Sequence, residues 1–213
     1  MQDSNVLKTG TTTVGIVCKE GIVLGSDKRA TIGSGYVISH KADKIFTITD
    51  SIAVTSAGMV SDVQLLVKLL KAELKIKEMR AEESCSVREA ANLLGRMVYQ
   101  NIRKFSTIPG VAHFILGGKD DSGFHLYDVF PDGSVTECED YLASGSGSIG
   151  GAYSILDAQY KKDMPINEAV NLCVKAINIA LQRDVFSGDG IEVVTITKEG
   201  VKRVLAKDLR IKA

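Results

Sequence analysis

Apolar and polar positions fall into blocks along the chain, and the period of the pattern changes from block to block. Residues 11–18 (TTTVGIVC) are β-branched and apolar, which predicts a strand. Lys19-Glu20-Gly21 reads as a turn and residues 22–26 as the returning strand. A second pair is expected at 44–49 and 52–56, turning at Asp50-Ser51. Tight turns between these four strands imply antiparallel pairing. From Ser61 to Arg80 the spacing becomes helical, with apolar residues recurring at Val63, Leu66, Val67, Leu70, Leu74 and Ile76. Ser61 is the expected N-cap, with Gln64 as its capping-box partner. A second helix is expected at 87–103, capped by Ser86 and Glu89, with a stripe of Ala90, Leu93, Leu94, Met97 and Val98. Ile108-Pro109-Gly110 ends this helical block.

Strands return at 111–118 and 123–129, and a short one at 134–137 follows Pro131-Asp132-Gly133. Two further helical patterns, 148–161 and 166–182, are separated by Met164-Pro165, and proline suits a helix start. A last hairpin, 191–197 and 201–205, turns at Lys198-Glu199-Gly200. The order is strands, two helices, strands, two helices, strands. This lacks the strict alternation of a parallel α/β sheet. It suits an α+β fold in which two antiparallel sheets pack face to face with helix pairs outside. No internal repeat, low-complexity segment or long linker divides the chain, so one domain is expected.

Composition narrows the function classes. The 213 residues carry 26 basic and 26 acidic side chains, a formal net charge of zero, and 45% are hydrophobic. Disordered chains combine low hydrophobicity with high net charge, which is not the case here. The balanced charge also argues against a nucleic-acid partner. The longest apolar runs, GIVLG and LLVKLL, fall far short of the roughly 20 residues that cross a bilayer, so no membrane association is expected. The opening MQDSNVLKTG has no apolar core of a secretory signal. Cys18, Cys85, Cys138 and Cys173 are scattered without metal-ligand spacing, and are expected to be buried free thiols in a reducing cytosol. No metal or organic cofactor is called for.

Three motifs bear on chemistry. Gly145-Ser-Gly147-Ser-Ile-Gly150 formally matches GxGxxG, but no βαβ unit surrounds it, so the context of a dinucleotide site fails. A serine–histidine site needs a histidine base. His113 and His125 fall within expected strands and His40 in a loop, where structural roles are the simpler reading. What remains is a nucleophile without histidine. An N-terminal threonine carries its own base, because its α-amine, with a pKa of about 7.7–8.0, is covalently beside its hydroxyl. Gly10-Thr11, a small residue before threonine at the head of a strand, supplies such a terminus once cleaved. Asp27 ends the paired strand and Lys44 begins the next one. A lysine near the hydroxyl favours loss of its proton, and a carboxylate holds that lysine charged and oriented.

The segments GTTTVGIV, GSDKRAT, DKIF, TSAGMVSD, ASGSGS and QRDVFSGDG, in this order over nearly the whole chain, resemble the proteasome β subunits, which are N-terminal nucleophile hydrolases. The ten-residue leader is similar to that of archaeal members. The resemblance implies a four-layer α-β-β-α sandwich and a threonine endopeptidase. Residues 1–10 would be a propeptide removed by self-cleavage between Gly10 and Thr11, and 11–213 the catalytic domain. By motif, the resemblance implies Thr11 as nucleophile, Asp27 and Lys44 beside it, and Ser146, Asp184 and Ser187 as supporting groups. Gly58 would supply the oxyanion N–H, and Ala30, Ser56 and Val60 would line the pocket for the residue before the cut. Small and apolar walls there suit a hydrophobic side chain. The implied partners are other β subunits in seven-membered rings, an α-subunit ring, unfolded protein substrates and, through the α ring, a regulatory ATPase. The implied location is the cytoplasm. The alternative is an unprocessed β subunit that builds the ring without catalysis.

Overall fold

The computed structural model describes residues 10–208, Ser34 and Glu82 excepted. The chain opens with the hairpin β1 (Thr13–Cys18) and β2 (Gly21–Asp27). A small separate hairpin follows, β3 (Ala30–Ile32) and β4 (Tyr36–Ser39), then β5 (Ile45–Thr47) and β6 (Ile52–Gly58). Helices α1 (Val60–Ala81) and α2 (Val87–Arg103) form the first helical block. Then come β7 (Ala112–Asp120), β8 (Gly123–Val129), β9 (Val135–Cys138) and β10 (Tyr141–Ser144). A π-helical turn at Ser148–Ala152 leads into α3 (Tyr153–Gln159) and α4 (Ile166–Leu181). The hairpin β11 (Gly190–Thr197) and β12 (Gly200–Asp208) ends the described chain.

Two five-stranded antiparallel sheets result. One runs β10-β1-β2-β11-β12 and the other β5-β6-β7-β8-β9. Three apolar layers hold them. Ile22, Leu24, Ala53, Ile115, Leu126 and Ile196 fill the space between the sheets. Phe114, Leu116 and Val54 face α1 and α2, where Leu70, Leu74 and Leu94 meet them. Val14, Ile16 and Val23 face α3 and α4, meeting Leu156, Cys173 and Ile177. The architecture is the expected four-layer sandwich. All seven residues of β2 are buried, because neighbours cover both faces of a strand whose side chains alternate. Its continuous apolar run has that cause.

The close approach of the sheets depends on missing side chains. A Cβ on Gly15 would stand 2.8 Å from Ile115 Cγ2, and one on Gly117 2.9 Å from Ile22 Cγ2. Each glycine thus receives a branched side chain of the opposite sheet.

Several expectations need correction. The β3–β4 hairpin and β10 lie in stretches for which the sequence pattern predicts no element. Ser61 lies inside the first turn of α1 rather than at its cap, since the first helical bond runs from Val63 N to Met59 O at 3.0 Å. Gly58, at φ 129°, turns β6 sharply into the helix and so starts it early. The helix expected over 148–161 is interrupted. Its first turn is π-helical, and a Cβ on Gly151 there would meet the Ala180 backbone at 2.7 Å, so the widened turn lies directly on α4. Cys18, Cys85 and Cys173 are buried free thiols, but Cys138 is only partly buried. By contrast α2 has the expected capping box: Glu89 N donates to Ser86 Oγ at 3.3 Å, and Ser86 N to Glu89 Oε2 at 3.1 Å.

Candidate active site

Thr11 is buried and lies two residues before β1, which starts at Thr13 rather than at the expected residue 11. The glycine-rich loop after β10 wraps around it. Gly145 adopts φ 88°, and a Cβ on it would lie 2.0 Å from Thr11 O, so only glycine fits. Gly147 N donates to Thr11 O at 3.3 Å. A Cβ on Gly147 would strike Thr12 Oγ1 at 2.0 Å. The GxGxxG pattern therefore cradles a stretch of the chain's own backbone.

Asp27, at the end of β2, has a fully buried carboxylate. A buried carboxylate is tolerable only with compensating donors. Asp27 has four: Thr12 N at 3.0 Å and Lys44 Nζ at 2.6 Å on Oδ1, and Arg29 N at 3.0 Å and Gly188 N at 2.9 Å on Oδ2. Burial pushes the Lys44 ammonium below its ordinary pKa, and the Asp27 charge and hydrogen bond oppose that fall. Lys44 immediately precedes β5 rather than beginning it.

A second chain of hydrogen bonds reaches the Thr11 nitrogen. Thr11 N donates to Ser146 Oγ at 3.2 Å, and Ser146 Oγ donates to Asp184 Oδ2 at 2.6 Å. Ser187 Oγ also donates to Asp184 Oδ2 at 2.6 Å. A hydroxyl has one proton, so Thr12 must be the donor in its 2.8 Å bond to Ser187 Oγ. The Thr11 hydroxyl donates to Gly10 O at 2.6 Å, which sets the nucleophile beside the preceding carbonyl.

The expected site residues thus form three connected groups. Thr11, Ser146, Asp184 and Ser187 share one hydrogen-bond chain, and Asp27 joins Lys44 to the Thr12 backbone. Gly10, Thr11, Lys44, Gly58, Ala30, Ser56 and Val60 line one cavity of about 370 Å³. Ile38, Phe46 and Val63 extend its apolar wall. At Gly58 a Cβ would stand 2.3 Å from Val111 O, so the backbone there admits no side chain. The propeptide expected over 1–10 lies outside the described residues except for Gly10.

Sequence reasoning missed the clamp on the loop after α4. Arg29 donates from Nε and Nη2 to the two oxygens of Asp189 at 2.9 and 3.3 Å, and from Nη1 to Val185 O at 3.0 Å. The bidentate carboxylate holds the guanidinium above its ordinary pKa. His40 Nδ1 approaches Asp189 Oδ2 at 2.9 Å from another side. Arg29 therefore fixes the loop that presents Asp184, Ser187 and Gly188. The available signal was an arginine two residues after Asp27 and an aspartate two after Ser187.

His113 does occupy a serine–histidine–aspartate line. Its Nδ1 lies 2.7 Å from Ser144 Oγ and its Nε2 2.5 Å from Asp128 Oδ1. The serine is buried, and the line ties β10 of one sheet to β7 and β8 of the other. This is the structural role expected of the histidine.

Comparison with known proteins identifies the family. Residues 7–196 match the family model of the proteasome subunit. The chain is 44% identical over 190 residues to proteasome subunit beta of Ferroglobus placidus, covering 89% of this chain and 88% of that protein. It is 39% identical over 208 residues to proteasome subunit beta of Methanopyrus kandleri, covering 98% and 97%. It is 43% identical over 200 residues to proteasome subunit beta 2 of Pyrococcus furiosus, covering 94% and 93%. With the sandwich and its order of strands and helices already in place, this match over nearly the full length shows that the chain belongs to the proteasome subunit family.

Proposed function

We propose that this chain is a catalytic proteasome core β subunit, a threonine endopeptidase that frees its own nucleophile by cleavage between Gly10 and Thr11. The observation that carries the reading is the convergence on Thr11. Its hydroxyl lies 2.6 Å from Gly10 O, its nitrogen is bonded to Ser146, and the buried Asp27–Lys44 pair holds the next residue.

In the first step Thr11 Oγ attacks the Gly10 carbonyl and releases the leader. The freed α-amine, held by Ser146 and Asp184, then serves as base for the neighbouring hydroxyl. The charged Lys44 stabilises the deprotonated oxygen and keeps the amine neutral by repulsion. On a substrate peptide, Thr11 Oγ attacks the carbonyl and forms an ester, and a Gly58 N–H steadies the oxyanion. Such a donor contributes about 3–4 kcal/mol. Water activated by the amine then releases the product. The apolar cavity wall favours cleavage after hydrophobic residues. The partners are an α-subunit ring, other β subunits in stacked seven-membered rings, and unfolded proteins threaded into the enclosed chamber. A regulatory ATPase acts through the α ring, and the setting is the cytoplasm.

Intact mass of the full chain co-expressed with its α subunit tests the reading. Loss of residues 1–10 is expected, and Thr11→Ala should abolish both that loss and hydrolysis of fluorogenic peptides. Retention of the leader in an assembled, wild-type particle would make this a ring-building subunit and remove the site assignments.

A further inference from the structure

Phe186 belongs to the same loop as Asp184 and Ser187, yet the chemistry above gives it no task. Gly10 is buried, and a Cβ built on it would fall 1.6 Å from Cβ, 2.6 Å from Cγ and 2.8 Å from Cα of Phe186. Two of these atoms belong to or adjoin the main chain, so no rotamer change clears them. Further out, the phenyl ring reaches the turn between β3 and β4, with Cε1 3.6 Å from where a Cβ on Gly35 would stand. The backbone of Phe186 is itself tied down. Its N–H donates to Asp184 Oδ1 at 3.2 Å, and the carbonyl of the preceding Val185 receives Arg29. Phe186 cannot retreat from Gly10 without disturbing the aspartate that serves Ser146 and Thr11.

We infer that Phe186 is a positioning residue for the self-cleavage step: its side chain backs Gly10, keeps the Gly10 carbonyl at the Thr11 hydroxyl, and admits no side chain at position 10. This rests on the reading of Thr11 as a self-released nucleophile. In that step Thr11 Oγ adds to the Gly10 carbonyl carbon. The Gly10–Thr11 C–N bond breaks, and the hydroxyl proton ends on the leaving nitrogen. The resulting ester takes up one water, which gives the Gly10 carboxylate with its proton and a Thr11 with free amine and hydroxyl. The addition is sensitive to placement, since a misplacement of about 1 Å is worth as much as ~100-fold in rate.

The two parts of the role have opposite signs, and that supplies the test. Full-length chains co-expressed with the α subunit are followed by intact mass through assembly. With glycine at position 10, leader loss is expected to slow severalfold in Phe186→Ala and about tenfold or more in Phe186→Gly. Gly10→Ala alone is expected to keep its leader. In the Gly10→Ala background Phe186→Gly should now accelerate cleavage at least about tenfold, whereas Phe186→Ala, which keeps the obstructing Cβ, should not. A purely structural residue would slow cleavage by the same factor whatever stands at position 10, and that additive result overturns the proposal. Should Phe186→Gly fail to assemble, the Phe186→Ala rate decides, and a rate equal to the parent's overturns it. A parent chain that keeps residues 1–10 removes the Thr11 reading and this inference together. Normal leader loss in the parent with no coupling between positions 10 and 186 removes this inference alone.

Discussion

Lys44 donates to Asp27 Oδ1 at 2.6 Å, and only 8% of the lysine side chain and none of the carboxylate reach solvent. Burial already holds the Lys44 pKa below its ordinary 10.5, and Asp27 is the main force against that fall. Asp27→Asn takes the opposing charge away, so the lysine should lose its proton at a still lower pH. In the proposed mechanism the charged lysine is the active form. The alkaline limb of kcat/KM should therefore lie below pH 10.5 in the parent and move to lower pH in Asp27→Asn. A pH profile with a fluorogenic peptide checks this, and an unmoved limb would assign it to another group. The variant should also lose about 3–5 kcal/mol of stability, because a buried charge is left unpaired.

Ser146 stands between the Thr11 nitrogen and Asp184. In the proposed mechanism Ser146→Ala keeps the Thr11 nucleophile and the Asp27–Lys44 pair but releases the amine that is to act as base. Positioned proton transfer is worth about 10²–10⁴ in rate. Loss of its alignment alone should lower kcat by about tenfold to a hundredfold, with a smaller change in KM. Steady-state kinetics on the processed particle separate the two parameters. A variant changed in KM only would place Ser146 in substrate binding.

Far from the site, Glu89 closes the cap of α2 and also receives Lys77 of α1. The Lys77 hydrogen bond, with those from Ser86, brings its carboxyl down from 4.5 to about 2. A depressed folded-state value means stability that is present above pH 4.5 and is lost as pH falls toward 2. The side chain is half exposed, so screening reduces the effect, and Glu89→Gln should lose about 0.5–1 kcal/mol at neutral pH. Chemical denaturation at several pH values should show the difference between variant and parent shrinking on acidification. A constant difference would mean that the charge is not what the cap uses.

The sheets meet across Gly15, where a Cβ would press on Ile115 Cγ2 at 2.8 Å and Leu126 Cδ1 at 2.9 Å. Gly15→Val should destabilise by about 1–3 kcal/mol through overpacking. Thermal unfolding should register this as a drop of a few degrees in Tm. An unchanged Tm would show that the two sheets can part without loss.

Much of this architecture was legible because the determining signals are local. The capping box of α2 needs only Ser86 and Glu89 at the right separation, and the β1–β2 hairpin needs only a glycine turn between two apolar runs. The strands β3, β4 and β10 were missed because three or four residues are too few for an alternating pattern to stand out from a loop. The start of α1 was misplaced because the left-handed turn at Gly58 set it, ahead of any side-chain cap. At the candidate site, Thr11, Asp27 and Lys44 stood out by residue type and by their places at strand ends. Arg29, Asp189 and Phe186 did not. Their work is to hold a loop more than 150 positions away in sequence from Arg29, and only the folded chain brings such groups together.

The β3–β4 hairpin pairs with neither large sheet, yet Ala30, Thr31, Ile38 and Ser39 from it line the cavity beside Thr11. The scaffold that holds Thr11 and the panel that lines the cavity, where the proposed mechanism seats the substrate, are therefore separate pieces of one chain. Residues on the panel can be exchanged while the ladder hydrogen bonds of both sheets stay intact. Selectivity in such a design is free to drift, while the chemistry stays anchored in the sandwich.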